Sequence, residues 1–233
     1  MKVIVIAALS LVLFAGQAVA EEKKQMSEKE KLSYSLGFTE GGRVAGFLKS
    51  QDVGVETDTV IEGFKAGISG AKPVLAEQEI QQTIDGLQKS VAAKQAERFK
   101  EAAAKNKEAG AKFLAENAKK EGVVVLPSGL QYRIIKAGTG PMPKATNRVK
   151  VNYRGTLIDG TEFDSSYKRG EPAEFHVDKV IAGWTEALEH METGSKWELF
   201  IPANLAYGER GAGPKIGPDA ALVFEVELLS IEK

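Results

Sequence analysis

Residues 149–163, V-K-V-N-Y-R-G-T-L-I-D-G-T-E-F, constrain the fold of this 233-residue chain more than any other stretch. Val149, Val151, Tyr153 and Gly155 alternate with Lys150, Asn152 and Arg154, the period-two pattern of a strand with one buried and one wet face. Asp159-Gly160 then offers the dipeptide that best tolerates the positive φ angles of a tight hairpin turn. A β-ribbon with an inward face follows from this pattern, and Asp164-Ser165-Ser166 comes directly after it. Further along lie Val180-Ile181-Ala182-Gly183-Trp184, Leu205-Ala206-Tyr207-Gly208, and an alternating terminal strand over residues 221–229.

The amino-terminal half reads as helix. Lys2 precedes an apolar run over residues 3–15, and Ala18-Val19-Ala20 is a small-x-small site ahead of Glu21-Glu22, so residues 1–20 read as an export signal cleaved to leave Glu21. The run is short for a hydrocarbon core that needs about 20 apolar residues, which argues against an anchor. Without cysteine there is neither lipid attachment at a cysteine nor a disulfide. Ser27-Glu28-Lys29-Glu30 is a capping box that should open a helix carrying Leu32, Leu36, Phe38, Val44, Phe47 and Leu48, interspersed with Gly37, Gly41, Gly42 and Gly46. Glycine weakens a helix, and a close helix crossing would compensate. A second helix over residues 60–68 presents Val60, Phe64 and Ile68. Residues 21–72 are too few for a self-sufficient core, so a partner surface is implied, either a second chain or the carboxy-terminal domain. Residues 73–121 should form a long connecting helix: no proline interrupts residues 77–119, and Ile80, Ile84, Leu87 and Val91 give its beginning an apolar stripe. Its second half, mostly alanine and charge, reads as a solvated stalk with Gly110 as a weak point.

The motifs over residues 122–233 together resemble the FKBP-type peptidyl-prolyl isomerases. Lys31-Leu-Ser-Tyr-Ser-Leu-Gly37 and Gly122-Val-Val-Val-Leu-Pro-Ser-Gly-Leu-Gln-Tyr132 are similar to the bacterial macrophage infectivity potentiator (Mip) group of that family. The resemblance implies an α+β architecture: a helical dimerisation domain, a long connecting helix, and an antiparallel twisted sheet wrapped on a short helix. It also implies catalysis of X–Pro rotation. The barrier is about 18–20 kcal/mol because the planar amide loses resonance when twisted, and a protein lowers it by binding the twisted form better than the planar ones. By resemblance, Trp184 forms the floor under the proline ring, with Tyr153, Phe163, Val180, Ile181 and Phe224 as walls. The Ile181 N–H would anchor one substrate carbonyl and the Tyr207 hydroxyl another. Asp164 would set the polar rim facing the twisting amide. Asp164, Tyr207 and Phe163 are thus the candidate catalytic residues, and no cofactor or metal is expected. Ala173, Ala212 and Lys215 stand where many relatives carry bulkier or more apolar residues, which predicts a more open and more polar rim.

The formal charge of −1 argues against nucleic acid, and two histidines without cysteine or a phosphate-binding loop leave metal, triad and nucleotide chemistry without parts. The expected partners are proline-containing unfolded or extracellular polypeptides, a second copy of the chain, and macrolides of the rapamycin type. The expected location is the periplasm or outer surface of a Gram-negative bacterium, with no transmembrane segment after signal cleavage. A non-catalytic chaperone or adhesion module built on the same fold is the alternative.

Overall fold

The capping box at Ser27 closes in both directions in the computed structural model, which describes residues 25–232; the export signal read at residues 1–20 lies outside them. Ser27 Oγ accepts from the Glu30 N–H at 3.3 Å, and the Glu30 carboxylate accepts from the Ser27 N–H at 2.8 Å. From there α1 runs over Glu28–Gln51, and α2 over Thr57–Ser69 until Gly70 takes a left-handed conformation. Neither helix contains a buried residue. Leu36 is 60% exposed and Phe38 72%. Nothing lies within 4 Å of a Cβ built at Gly37, Gly41, Gly42 or Gly46, so the close crossing that would justify those glycines is not made among the described residues.

The chain divides into two compact units between Ala76 and Glu77, which groups the long helix α3, Glu77–Asn117, with the carboxy-terminal sheet. At about 1.5 Å per residue its 41 residues span about 60 Å. The sequence placed its packed part at the beginning and a solvated stalk at the end; the structure reverses this. Ile80 and Ile84 are exposed, whereas Gly110 and Asn117 are the buried residues of α3. Gly110 is a point of close approach instead of a weak point, since a Cβ there would stand 3.1 Å from Ala221 Cβ. Phe113 meets Phe200 at 6.0 Å between ring centroids. Asn117 Nδ2 donates to Gln131 Oε1 at 3.0 Å, and Gln131 Nε2 donates to the Leu114 carbonyl at 2.9 Å. Apart from Phe113 and Leu114, the docking face is built from small and amide side chains, so no sustained apolar periodicity announced it.

The carboxy-terminal fold is the expected antiparallel sheet on a short helix. Its strands are β1 (Val123–Val125), β2 (Gln131–Lys136), β3 (Arg148–Leu157), β4 (Glu162–Ser165), β5 (Ala173–His176), β6 (Lys196–Ile201) and β7 (Leu222–Glu232), in the order β1-β2-β6-β7-β3-β4 with β5 added on β3. Along β3, Val149, Val151, Tyr153 and Gly155 are buried as the alternation required. On the neighbouring strand β7, Phe224, Val226 and Leu228 pair with Gly155, Tyr153 and Val151 and are buried in the core with Leu222. The β3–β4 turn is looser than a two-residue hairpin. Leu157 N–H donates to the Thr161 carbonyl at 2.9 Å and Gly160 N–H to the Leu157 carbonyl at 3.0 Å. Only Gly160, at φ 86°, takes a positive angle there. A four-residue helix α4 (Ser166–Arg169) follows β4, and α5 (Ala182–His190) lies across the sheet with Gly183, Trp184, Ala187 and Leu188 buried. Each large apolar side chain buried in this way contributes about 1.5–3 kcal/mol. Among the described residues no helix is long and apolar enough to cross a membrane.

Candidate active site

Where β3, β4 and β7 meet the start of α5, a cavity of about 690 Å³ opens. Trp184, 4% exposed, is its floor. The indole is gripped edge to face by Tyr153 and Phe224, both at 5.2 Å between centroids, and by Phe175 at 5.7 Å. Such pairs add about 0.5–1.5 kcal/mol each beyond area burial. Its Nε1 is buried and has no hydrogen-bond partner among the described residues. Phe163 stands against Phe224 at 5.5 Å, and Gly155 is what lets them meet: a Cβ there would lie 2.6 Å from the Phe163 ring and 2.7 Å from Phe224. Val180 and Ile181 form the wall that leads into α5. Ile181 occupies the N-cap position, and its own N–H has no acceptor among the described residues, while its carbonyl accepts from Trp184 and Thr185. Tyr207, 40% exposed, also lines the cavity.

Asp164 is fixed from three directions. Oδ2 accepts from the Tyr153 hydroxyl at 2.5 Å, and Oδ1 accepts from Arg169 at 2.5 Å and from the Ser165 N–H at 2.8 Å. Arg169 also donates to the Tyr153 hydroxyl at 2.8 Å, with its guanidinium 5.3 Å from the centre of that ring. Burial works against ionising Asp164, yet the hydrogen bonds from Tyr153 and Arg169 outweigh it and hold the carboxyl below its ordinary value. Burial, followed by the bond to Asp164, pushes the Tyr153 phenol up. The Tyr207 phenol is also raised, by burial and then by the Asp164 charge. At neutral pH the site therefore holds one carboxylate and two protonated phenols.

All eight residues singled out in the sequence line this one cavity. Arg169, Phe175 and Lys179 were missed. Arg169 is brought back over Asp164 by α4, whose Ser165 cap and Gly170 terminator could have flagged the turn. Phe175 lies two residues from Ala173 on the same face of β5, and it is Phe175 that lines the cavity. Ala212 and Lys215 line the rim, and Lys215 Nζ donates to the Phe163 carbonyl at 3.1 Å. An apolar trough with fixed donors and no nucleophile paired to a base is suited to holding a chain and favouring one shape of it.

The family model described as FKBP-type peptidyl-prolyl cis-trans isomerase matches residues 140–229, and the one described as the domain amino terminal to it matches residues 29–134. The chain is 44% identical to the outer membrane protein MIP of Legionella longbeachae, over 100% of this chain and 98% of that protein. It is 47% identical to the FKBP-type 22 kDa peptidyl-prolyl cis-trans isomerase of Escherichia coli, over 85% of this chain and 93% of that protein. The crystal structure of FkpA from Escherichia coli superposes with a TM-score of 0.70 at 39% identity, covering 88% of this chain and 97% of that one.

Proposed function

The chain belongs to the FKBP-type peptidyl-prolyl cis/trans isomerases, and we propose how its site performs that reaction and where the protein acts. A proline ring sits on Trp184 between Tyr153, Phe163, Val180, Ile181 and Phe224. The Ile181 N–H and the Tyr207 hydroxyl hold two backbone carbonyls of the substrate, so that rotation is confined to the X–Pro bond. The planar amide is more charge-separated than the twisted one. Apolar walls therefore disfavour the ground state, and Asp164, Tyr207 and Phe163 bound the side on which the carbonyl turns. The observation that carries this reading is the Ile181 N–H, without an acceptor among the described residues, on a residue that lines the same cavity as Trp184. A protease-free assay on proline tetrapeptides tests it, with a rapamycin-type macrolide expected to compete for the same cavity. A chain that binds unfolded protein yet accelerates no X–Pro bond would instead be the non-catalytic chaperone.

Export, with residues 1–20 removed and Glu21 at the mature terminus, places the enzyme in the periplasm or on the outer surface. The small-x-small site and the name of the Legionella relative support that location. Mass measurement of the protein from its native compartment decides it. Residues 21–72 form the dimerisation domain, residues 73–121 the connecting helix, and residues 122–233 carry the catalytic pocket. The absence of any buried residue in α1 and α2 supports a homodimer made there. Two linked pockets give a client held by one a high effective concentration at the other. A chain starting at Glu77 should match the full chain on tetrapeptides, yet fall behind it in a proline-limited refolding reaction; equal refolding rates would remove the client-holding role.

A further inference from the structure

We infer that this pocket selects prolyl segments carrying an acidic side chain next to the proline, through Lys179 and Lys215 on its rim. The inference rests on the isomerase site proposed above. The charged residues lining the cavity are Asp164, Lys179 and Lys215. Asp164 has its charge matched by Arg169 at 2.5 Å, and its remaining oxygen is taken by Tyr153. Neither lysine is matched in that way. Lys215 Nζ spends a hydrogen bond on the Phe163 carbonyl, a neutral acceptor, and has no ion-pair partner among the described residues. That bond also fixes the ammonium beside β4, one residue from Asp164. Among the described residues Lys179 pairs only with Asp178, at 3.7 Å, with 75% of the lysine side chain and 48% of the aspartate side chain exposed. Glu209 and Asp219, the acids of the loop that carries Lys215, are not among the residues lining the cavity.

The cavity therefore shows an entering chain an excess of positive charge over apolar walls that focus the field, although the whole chain carries a formal charge of −1. A glutamate or aspartate flanking the proline is attracted to these ammonium groups, and a lysine or arginine is repelled. Each exposed pair of this kind changes binding by up to about fivefold.

The test uses the full chain and five tetrapeptides of one scaffold: a leucine reference before proline, and glutamate or lysine placed either before or after it. In low salt, kcat/KM for a glutamate peptide should exceed that for its lysine counterpart by at least about threefold, and the ratio should shrink towards one in about 1 M salt, where charges are screened beyond about 3 Å. The double variant Lys179→Glu, Lys215→Glu should invert the ratio. Equal rates for the glutamate and lysine peptides, a ratio insensitive to salt, or the same ratio in the double variant would overturn the inference. The leucine peptide separates the two readings, because a wild-type chain that fails to accelerate it removes the isomerase site itself.

Discussion

In its nine residues α5 buries four positions, whereas the 24 residues of α1 bury none. Both helices carry large apolar side chains, and both contain glycine. The difference lies in what the glycine meets: a Cβ at Gly183 would come within 2.6 Å of Ile201, whereas one at Gly42 would meet nothing within 4 Å. One helix is completed by its own sheet. The other presents Leu36, Phe38 and Phe47 to water, a run of exposed apolar surface that a soluble monomer seldom keeps. An apolar pattern in a sequence states that a face will be covered; it does not state by which chain.

The largest effect is expected where that comparison is most easily broken. Leu36→Asp should weaken self-association at least about a hundredfold, about 2.7 kcal/mol, because a charge would be drawn into a shared apolar face. Sedimentation at a series of concentrations measures it, and a full chain that is already monomeric at tens of micromolar would end the idea that a second copy completes α1. Within the carboxy-terminal unit, Gly155→Ala should cost about 2 kcal/mol and lower kcat/KM, since the added methyl drives Phe163 from Phe224. Chemical denaturation beside the tetrapeptide assay reads both; wild-type stability and rate would mean the ring pair shifts without consequence. Asp164→Ala should reduce kcat/KM about tenfold, about 1.4 kcal/mol of transition-state binding. A folded variant with the wild-type rate would take Asp164 out of the site.

The smallest effect is expected from pH. The Asp164 carboxyl is lowered in the folded state, so the stability it contributes is present above the ordinary aspartate value and is lost as pH falls through the lowered one. The phenols of Tyr153 and Tyr207 are raised and stay protonated into alkali. A profile of kcat/KM should therefore be flat from about pH 5 to about pH 9, with acid loss confined below about pH 4. A midpoint near neutrality would point to a titrating group outside this trio.

What could be read from the sequence was whatever depends on near neighbours in the chain. The alternation along β3 announced its buried face, and the Ser27 capping box announced the start of α1, because a strand's period and a helix's first turn are set within a few residues. Trp184, Phe163 and Phe224 carried their own signal as large aromatics at the positions the family resemblance required. Arg169 carried only an indirect signal: the Ser165 cap and Gly170 terminator mark the turn α4, but not that the turn brings Arg169 back onto Asp164, five residues earlier. The choice of Phe175 over Ala173 depended on which residue of β5 reaches the cavity, a matter of depth that alternation leaves open. The docking of α3 was the least legible. Asn106, Gly110 and Asn117 look like solvated helix, and their meaning appears only when Pro218, Ala221 and Gln131 arrive from more than ten residues away.

That docking sets what can be moved as a self-contained part. Asn106 Nδ2 donates to the Pro218 carbonyl at 2.8 Å, at the end of the same loop that brings Pro214, Lys215 and Ile216 to the cavity rim. A graft cut at Gly122, at the edge of the sheet, would carry every strand and every cavity-lining residue. It would also leave Phe200 and Gln131 without cover and Pro218 without its donor. The portable module begins inside α3, before Asn106, and a designer joining this pocket to another scaffold inherits the last turns of that helix as part of the purchase.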